Sequence, residues 1–335
     1  MKMKKFLALF LITVMTFTLC ACGKDENDDA KGSSDKQYTI GIVQIMEHAS
    51  LNTIRDAIID RLEELGYKDG ENCKIDCQQA NGEVSNVASI LQSFEGEGCD
   101  VIIAITTPCA QTAAPYSEKI PVVFSAVTDP VAAGIVDSLE NTGANITGTS
   151  DALDIEKILD FALTVTPDIE TLGYLYNSGE ANSVACLEQV KAYCEDKGIE
   201  VKEAAVSNSS EVQIAVESLC TDADAIFTPN DNTIAGAMGI VAQVSNGANI
   251  PLYVGADSMV KDGGLGTVGI EYTDLGIETA NMVDLILKGE KEASEIPVKV
   301  FNEDLSTYIN KTTAEEIGIT IPEEIADGEK TIIFE

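Results

Sequence analysis

The hydrophobic pattern of this chain alternates between short, continuous apolar runs and longer amphipathic stretches. The first apolar run, Tyr38 to Ile45, is rich in β-branched residues and predicts a strand buried on both faces of a parallel sheet. Apolar residues then recur at helical spacing from Leu51 to Leu65, and Gly66 stands where a helix commonly ends. A strand, a polar tip at 44–48 and a helix make half of a βαβ unit.

Strands and helices continue in strict alternation, which is typical of a parallel sheet covered by helices. Two stretches of the chain resemble each other, since Asp100-Val-Ile-Ile-Ala matches Asp224-Ala-Ile-Phe and both Ile120 and Ile250 precede proline. The pattern therefore indicates a duplicated α/β lobe. The predicted strands are 73–79, 100–106, 120–126, 172–176, 199–206, 224–228 and 251–255, and the predicted helices are 84–94, 108–117, 181–197, 210–219 and 234–245.

The last part of the chain does not fit a single cut between the two lobes. Strands are predicted at 267–270, 298–301 and 307–309, and an amphipathic helix at 275–287. These late elements are explained if the chain crosses between the lobes three times, near 147–151, 269–272 and 301–305. The predicted fold is α/β, with two Rossmann-like, doubly wound parallel-sheet lobes on a three-segment hinge. The first lobe is 38–148 plus 270–302, and the second is 149–269 plus 303–335.

Length and charge agree with this organisation. A chain of 335 residues is long enough for two domains. The chain has 21 basic and 56 acidic residues, a formal charge of −35. A nucleic-acid partner needs clustered Lys and Arg, so it is excluded from the hypotheses.

The first residues predict export from the cytoplasm. Residues 1–21 have a basic start, an apolar core from Phe6 to Leu19 and small residues before a cysteine, which is the anatomy of a signal peptide. Leu19-Cys-Ala-Cys22-Gly resembles the lipobox of bacterial lipoproteins, which implies cleavage before Cys22 and a lipid anchor on it. The alternatives are a plain cleaved signal or an N-terminal membrane helix. Residues 22–37 are polar and predict a flexible tether.

Signatures of metal binding and catalysis are missing from the sequence. Seven cysteines follow Cys22, but none has Cys-x-x-Cys spacing, and the chain has a single histidine. No Walker-type loop or Gly-x-Ser-x-Gly elbow is present. We therefore expect no metal, no cofactor and no enzymatic activity. The enzyme hypothesis left open places a nucleophile at Cys109, at a helix start that would lower its pKa.

Polar residues cluster at the predicted strand tips, where doubly wound sheets bind ligands. Hydroxyls, amides and carboxylates dominate these tips and no Lys or Arg occurs among them, which favours a small neutral or zwitterionic ligand. Several of these residues have an alternative interpretation: Ser183, Asn230 and Asp231 as helix N-caps, Asp129 as a turn former, and His48 as a hydrogen-bonded residue at the cleft edge.

Several motifs in order resemble one known family. The stretches 41–48, 106–111, 121–130, 145–151, 175–183, 231–233 and 257–260 resemble the tryptophan/tyrosine-type substrate-binding lipoproteins of ABC transporters. The resemblance implies a type I periplasmic-binding-protein fold, with two lobes that close on an aromatic amino acid. It also implies a ligand-binding role for Glu47, Thr107, Thr128, Asp129, Asn182, Ser183, Asn230, Asp231 and Asp257.

The resemblance also implies a place and partners for the protein. We expect a lipid-anchored monomer on the extracytoplasmic face of a bacterial membrane, which delivers a small molecule to ABC permease subunits after hinge closure. An extracellular sensor that passes the same closure to a signalling partner is the first alternative. A surface-tethered enzyme is the second.

Overall fold

The structure is a computed structural model that describes residues 37–335. The predicted signal peptide, Cys22 and all of the predicted tether except its last residue lie outside the described residues. Within the described range, no helix is both long enough and apolar enough to cross a membrane.

Strands and helices alternate through most of the described chain. The strands are β1 Tyr38–Gln44, β2 Cys73–Gln79, β3 Val101–Ile105, β4 Val122–Ser125, β5 Ile146–Ser150, β6 Thr171–Asn177, β7 Glu200–Val206, β8 Ala225–Thr228, β9 Leu252–Val254, β10 Gly266–Gly269, β11 Lys299–Val300, β12 Ser306–Asn310 and β13 Thr331–Phe334. The helices are α1 Ala49–Glu64, α2 Val84–Glu97, α3 Thr107–Ala113, α4 Ile155–Val165, α5 Ala181–Lys197, α6 Val212–Asp222, α7 Asn232–Gly236, α8 Met238–Gly247, α9 Asp257–Lys261, α10 Tyr272–Leu287, α11 Lys311–Glu316 and α12 Glu323–Ala326.

The first sheet has the strand order β11-β5-β4-β3-β1-β2, and all of its pairs are parallel. Its central strands are buried on both faces, as the apolar run in β1 predicts: Ile40, Ile42 and Val43 are fully buried. Helix α10, from late in the chain, packs against α1 and contacts β4 and β5. The first lobe is therefore completed by chain that has already passed through the second.

The second sheet has the order β13-β12-β10-β9-β8-β6-β7. Its pairs are parallel except β10 with β12, which are antiparallel. Helix α4 packs on α5 and β10, and α6 packs on α8. The two sheets, each between helices, confirm the predicted α/β fold with two Rossmann-like lobes.

The chain passes between the two sheets three times. It leaves the first sheet after β5, returns between β10 and α10, and leaves again between β11 and β12. These passages fall at 151–154, 270–271 and 301–305, beside the predicted crossings. Whether the two lobes move as units with the predicted boundaries stays a prediction.

Some predicted elements differ from those observed. The helix predicted at 108–117 ends at Ala113 and continues as a 3₁₀ turn from Ala114 to Glu118, because Pro115 has no N–H to continue the α-helical ladder. The helix predicted at 234–245 is two helices that meet at Ala237. The strand β5 was not predicted, because 147–151 was interpreted as a hinge crossing, and the helix α4 after it was not predicted either.

The contact between α1 and α10 gives a test of the first lobe's packing. A Cβ at Gly276 would lie 2.6 Å from the backbone oxygen of Ile54 and 2.7 Å from the Cβ of Ala57. We expect Gly276→Ala to lower the free energy of unfolding by about 1–3 kcal/mol, because the two helices must move apart.

Gly96 in α2 provides the matched control, since a Cβ there meets no heavy atom within 4 Å. Gly96→Ala should raise the free energy of unfolding by about 0.5–1 kcal/mol, because alanine loses less backbone entropy on folding than glycine does. Urea denaturation measures both changes. Equal stability of the two variants would contradict the described packing.

Candidate functional site

A small cavity lies between the two sheets. The cavity is lined by His48, Ser50, Leu51, Thr106, Thr107, Ala126, Thr128, Asp151, Asn182, Asn230, Asp231, Asn232, Ala235, Ala256, Met259 and Tyr272.

Strand topology explains why these residues meet. His48 follows β1, Thr106 follows β3 and Ala126 follows β4, all at the carboxyl edge of the first sheet. Asn230 and Ala256 follow β8 and β9 at the same edge of the second sheet. The carboxyl ends of parallel strands are the common ligand sites of doubly wound sheets, and here two such edges face each other.

The acidic centre of the cavity is Asp151, which is buried at the end of β5. Its Oδ1 accepts a hydrogen bond from the Thr128 hydroxyl at 3.0 Å. Its Oδ2 accepts from Asn230 Nδ2 at 2.6 Å and from the Tyr272 hydroxyl at 3.1 Å. Burial raises the pKa of Asp151, while these hydrogen bonds act in the opposite direction. The residues lining the cavity include no Lys or Arg, so the carboxylate faces a space without a cation.

Asp231 is also buried and lines the cavity, but its own lobe occupies its oxygens. Oδ2 accepts from the Ser183 hydroxyl at 2.6 Å and from the Asn177 N–H at 2.7 Å. Oδ1 accepts from the Ile234 N–H at 2.9 Å and so caps α7. The capping interpretation therefore describes Asp231 well, and Ser183 points at Asp231 rather than lining the cavity.

Five of the nine predicted ligand residues line the cavity: Thr107, Thr128, Asn182, Asn230 and Asp231. The structure brings these five together from both lobes. Asn230 Nδ2 bridges the cleft, since it donates to Thr128 Oγ1 at 2.8 Å as well as to Asp151. A ligand contact for each of the five stays a prediction.

The other four predicted residues do not line this cavity. One of the four is Ser183, described above. Glu47 is 63% exposed, and its carboxylate lies 3.8 Å from the Arg55 guanidinium. Asp129 accepts from the N–H groups of the next turn, as a turn former does. Asp257 starts α9 and accepts from Lys261 Nζ at 3.1 Å. Their ligand roles also stay predictions, without a cavity contact to support them.

Four buried polar atoms on cavity residues have no hydrogen-bond partner among the described residues: Asn182 Oδ1, Asn230 Oδ1, His48 Nδ1 and Thr106 Oγ1. Buried polar groups are nearly always paired, because an unpaired one costs about 1–3 kcal/mol. Two of the four are carbonyl oxygens, which only accept hydrogen bonds, whereas the Thr106 hydroxyl can also donate. The two carbonyl oxygens therefore lack donors.

The backbone around the cavity is strained in two places. Thr106 and Ala126 have φ values of 94° and 55°, although neither is glycine. Such conformations cost about 1–3 kcal/mol each and cluster at binding sites. Here they turn the chain after β3 and β4 into the cleft.

Two of the residues that hold the cavity together were missed from the sequence. Asp151 is the last residue of the stretch 145–151, which resembles the family, and it directly follows a buried strand. This position could have indicated a site residue, but 147–151 was interpreted as a hinge crossing instead. Tyr272 belongs to the second crossing, and no pattern in the sequence places its hydroxyl against Asp151. His48 was expected at the cleft edge but was not among the predicted ligand residues, and neither was Asn232, which lies in the stretch 231–233.

Several contacts join the two lobes across the cleft. His48 Nε2 lies 3.4 Å from Asn232 Oδ1, and the hydroxyls of Ser50 and Ser258 are hydrogen-bonded. A Cβ on Gly236 would lie 2.6 Å from Met46 Cε, so this glycine accommodates a side chain of the opposite lobe. The cleft is therefore closed.

Comparison with known proteins supplies the family. The family model of ABC transporter substrate binding proteins matches residues 39–331. The chain belongs to this family. Substrate-binding proteins of ABC transporters are extracytoplasmic and bind small molecules; they are not enzymes.

Relatives of this substrate-binding protein cover nearly the whole chain. A tyrosine-binding protein of Clostridioides difficile (strain R20291) is 38% identical over 318 residues, which span 93% of this chain and 92% of that protein. The crystal structure of an ABC domain in complex with L-Trp from Streptococcus pneumonia is 36% identical and has a TM-score of 0.85, covering 89% of this chain and 100% of that one.

A second solved structure indicates the state of the cleft. The ligand-free, open structure of a substrate binding protein with adhesive properties from Clostridium difficile is 34% identical and covers 89% of this chain and 99% of that chain, but its TM-score is only 0.67. The identity is nearly the same as for the L-Trp complex. By TM-score, the substrate-binding protein described here is more similar in structure to the L-Trp complex than to the ligand-free, open structure.

The nucleophile hypothesis for Cys109 does not fit the structure. Cys109 is fully buried in α3, and burial raises the pKa of its thiol to about 12. The predicted lowering of this pKa by the helix start is therefore wrong, because desolvation outweighs it. Among the described residues, no group of three or more His, Cys, Asp or Glu is placed to hold a metal ion.

His48 gives the cleft a pH dependence that can be measured. Burial lowers the pKa of His48 from 6.5 to about 4. A histidine with a lowered pKa contributes its full stability above pH 6.5, and this contribution falls by up to about 3 kcal/mol as the pH drops to 4, because the unfolded chain binds the proton more tightly. We expect the difference in unfolding free energy between wild type and His48→Gln to shrink accordingly.

Urea denaturation of both proteins at several pH values between 4 and 8 tests this expectation. Carboxylates common to the two proteins titrate alike and cancel in the difference. A difference that stays constant over this range would mean that His48 is not buried as neutral imidazole.

Proposed function

We propose that this protein is the solute-binding component of an ABC importer for an aromatic amino acid, and that it binds the ligand by closing its two lobes. The observation that carries the proposal is the cavity's excess of acceptors: a buried carboxylate and unpartnered carbonyl oxygens, with no Lys or Arg among the lining residues. A ligand with an ammonium group supplies the missing donors and the missing positive charge.

Asp151 is the proposed partner of the ligand's ammonium group. Its carboxylate is held in place by three donors from the hinge and both lobes. Asn182 Oδ1 and Asn230 Oδ1 are the acceptors proposed for the remaining ammonium hydrogens. An ammonium has three N–H donors and no acceptor, which matches this set.

The start of α3 is the proposed position of the ligand's carboxylate. Its N-cap residue, Thr106, makes no side-chain cap, and Pro108 has no N–H, so the available first-turn N–H groups are those of Thr107 and Cys109. The hydroxyl of Thr107 lines the cavity beside them. Donors at helix starts favour anions.

An apolar part of the cavity is proposed to hold the aromatic side chain. It is formed by Leu51 and Ala126 from the first lobe, and by Ala235, Ala256 and Met259 from the second. Methionine sulfur packs well against aromatic edges. The tyrosine-binding and L-Trp-bound relatives support this ligand class.

Transport follows from closure in this proposal. The ligand joins donors and acceptors of both lobes, so it stabilises the closed form, which the permease then recognises. We further propose that a lipid on Cys22 anchors the protein, as a monomer, to the outer face of the membrane.

Calorimetric titration with L-tyrosine, L-tryptophan and L-phenylalanine tests the ligand class. We expect at least one of them to release heat and to raise the melting temperature, because a ligand of the native state stabilises it. The chain contains no tryptophan, so binding of L-tryptophan can also be followed by its own fluorescence. Binding of a sugar or a nucleoside, with no heat from any amino acid, would refute the proposal.

Asp151→Asn tests the ammonium site. We expect the affinity for the amino acid to fall at least about a hundredfold, because a charge-assisted hydrogen bond in a buried site is lost. The ligand-free protein should be no less stable, since the substitution removes a buried charge of raised pKa. Glu64→Gln is the matched control, because Glu64 is 64% exposed and pairs with Arg61 outside the cavity. Unchanged affinity of Asp151→Asn would remove Asp151 from the binding site.

A further inference from the structure

Glu180 is a buried carboxylate that is not among the residues lining the cavity. It is the N-cap residue of α5, yet its side chain does not cap that helix. The carboxylate instead accepts four hydrogen bonds from the first two residues of α7. Oε2 accepts from Asn232 N–H at 3.1 Å and Nδ2 at 2.6 Å, and Oε1 accepts from Thr233 N–H and Oγ1, both at 3.0 Å.

These contacts fix the orientation of the Asn232 side chain. A carboxylate only accepts hydrogen bonds, so the amide NH₂ of Asn232 must face Glu180. The amide oxygen, Oδ1, then faces the opposite lobe, where His48 Nε2 lies 3.4 Å away. Glu180 thus determines which atom of Asn232 meets the histidine.

The orientation of Asn232 in turn selects the tautomer of His48. An oxygen accepts only, so the ring proton must be on Nε2, and in the neutral imidazole Nδ1 is then an acceptor. Nδ1 is buried, belongs to a cavity-lining residue and has no partner among the described residues. Burial keeps the ring neutral, since it lowers the pKa of His48 to about 4.

We propose that Glu180 is a positioning residue which, through Asn232, holds His48 in the tautomer that offers Nδ1 as an acceptor to a hydrogen-bond donor of the ligand. The same relay joins the second lobe to the first when the cleft is closed. The inference rests on the proposed function, since it assigns a further contact at the same site. The donor is the N–H or O–H of an aromatic side chain or the ammonium group.

The relay makes a chemical prediction for Glu180→Gln. Glutamine has a donor NH₂ in place of one acceptor oxygen, so it allows the Asn232 amide to turn over and present its NH₂ to His48. Nε2 then becomes the acceptor and Nδ1 carries the proton. The atom facing the ligand changes from acceptor to donor, although Glu180 itself does not line the cavity.

Nitrogen-15 NMR of the full chain at pH 8 measures the tautomer directly. The chain has one histidine, so a single pair of imidazole nitrogen signals is observed. An alkaline pH is used because it favours the ionised form of Glu180, whose pKa is raised by burial and by the nearby Asp231. We expect wild type, with and without L-tyrosine, to show Nε2 protonated, and Glu180→Gln to show Nδ1 protonated. Glu188→Gln is the control, since Glu188 is on the same helix and is 74% exposed; it should match wild type.

Calorimetry with L-tyrosine, L-tryptophan and L-phenylalanine completes the test. Glu180→Gln should weaken binding by about tenfold, the effect of one buried hydrogen bond. A loss for tyrosine and tryptophan but not phenylalanine identifies the side chain as the donor, and an equal loss for all three identifies the ammonium group. Either result supports the relay. An unchanged tautomer and unchanged affinities in Glu180→Gln would overturn it.

Asn232→Ala covers the case in which Glu180→Gln does not fold. It keeps the Glu180 contacts to the backbone N–H groups of the first two residues of α7, and removes the side chain that contacts both Glu180 and His48. The Nε2-protonated fraction of His48 should fall, because Nε2 loses its acceptor, and an unchanged fraction would overturn the relay. If wild type binds none of the three amino acids, the proposed function fails, whereas the tautomers of the ligand-free proteins still decide the role of Glu180.

Discussion

The closed cleft depends on a carboxylate that is buried without a cation. Asp151 lies where the chain first leaves the first lobe, and it is held by Thr128 of the first sheet, Asn230 of the second and Tyr272 of the returning segment. The partners come from both lobes and from the returning segment, so the carboxylate keeps this geometry only when the lobes are together. Three hydrogen bonds to neutral groups reduce the cost of the buried charge but do not neutralise it. In the proposed function, the ammonium group of the ligand supplies the missing positive charge.

The buried carboxylates of the second lobe have a different role from that of Asp151. Asp231 and Glu180 of the second lobe both stabilise the start of α7, and their oxygens are occupied by N–H groups and hydroxyls. A cap of this kind positions the neighbouring residues, here Asn230 and Asn232, whose amides face the cavity. The second lobe therefore presents these amides to the cavity, whereas the oxygens of its two carboxylates are occupied by groups of the same lobe. Amides both donate and accept, so their orientation has to be fixed by such partners.

The sequence predicted the fold well and the site in part. Apolar runs such as β1 and the helix Ala181–Lys197 were placed from local patterns, because burial on both faces and helical periodicity leave direct traces in the sequence. Which side chains point into the cleft depends on the local backbone conformation of the loop after each strand, and this conformation leaves no clear pattern in the sequence. Glu47 and His48 are neighbours, yet the first faces Arg55 and solvent while the second lines the cavity. Asp151 was passed over because its partners are distant in the chain, Tyr272 being 121 residues away.

The unpartnered atoms of the closed cleft also explain why closure should require a ligand. In an open cleft, water can reach Asn182 Oδ1, Asn230 Oδ1 and His48 Nδ1, whereas closure leaves them buried without partners. At about 1–3 kcal/mol for each unpaired group, closing an empty cleft is opposed by several kcal/mol. The direct contacts between the lobes, such as those of Ser50 and Asn232, offset only part of this. A ligand that donates hydrogen bonds to these three atoms removes this cost when the cleft closes. It therefore binds the closed form more tightly than the open form, as a ligand-driven two-state switch requires.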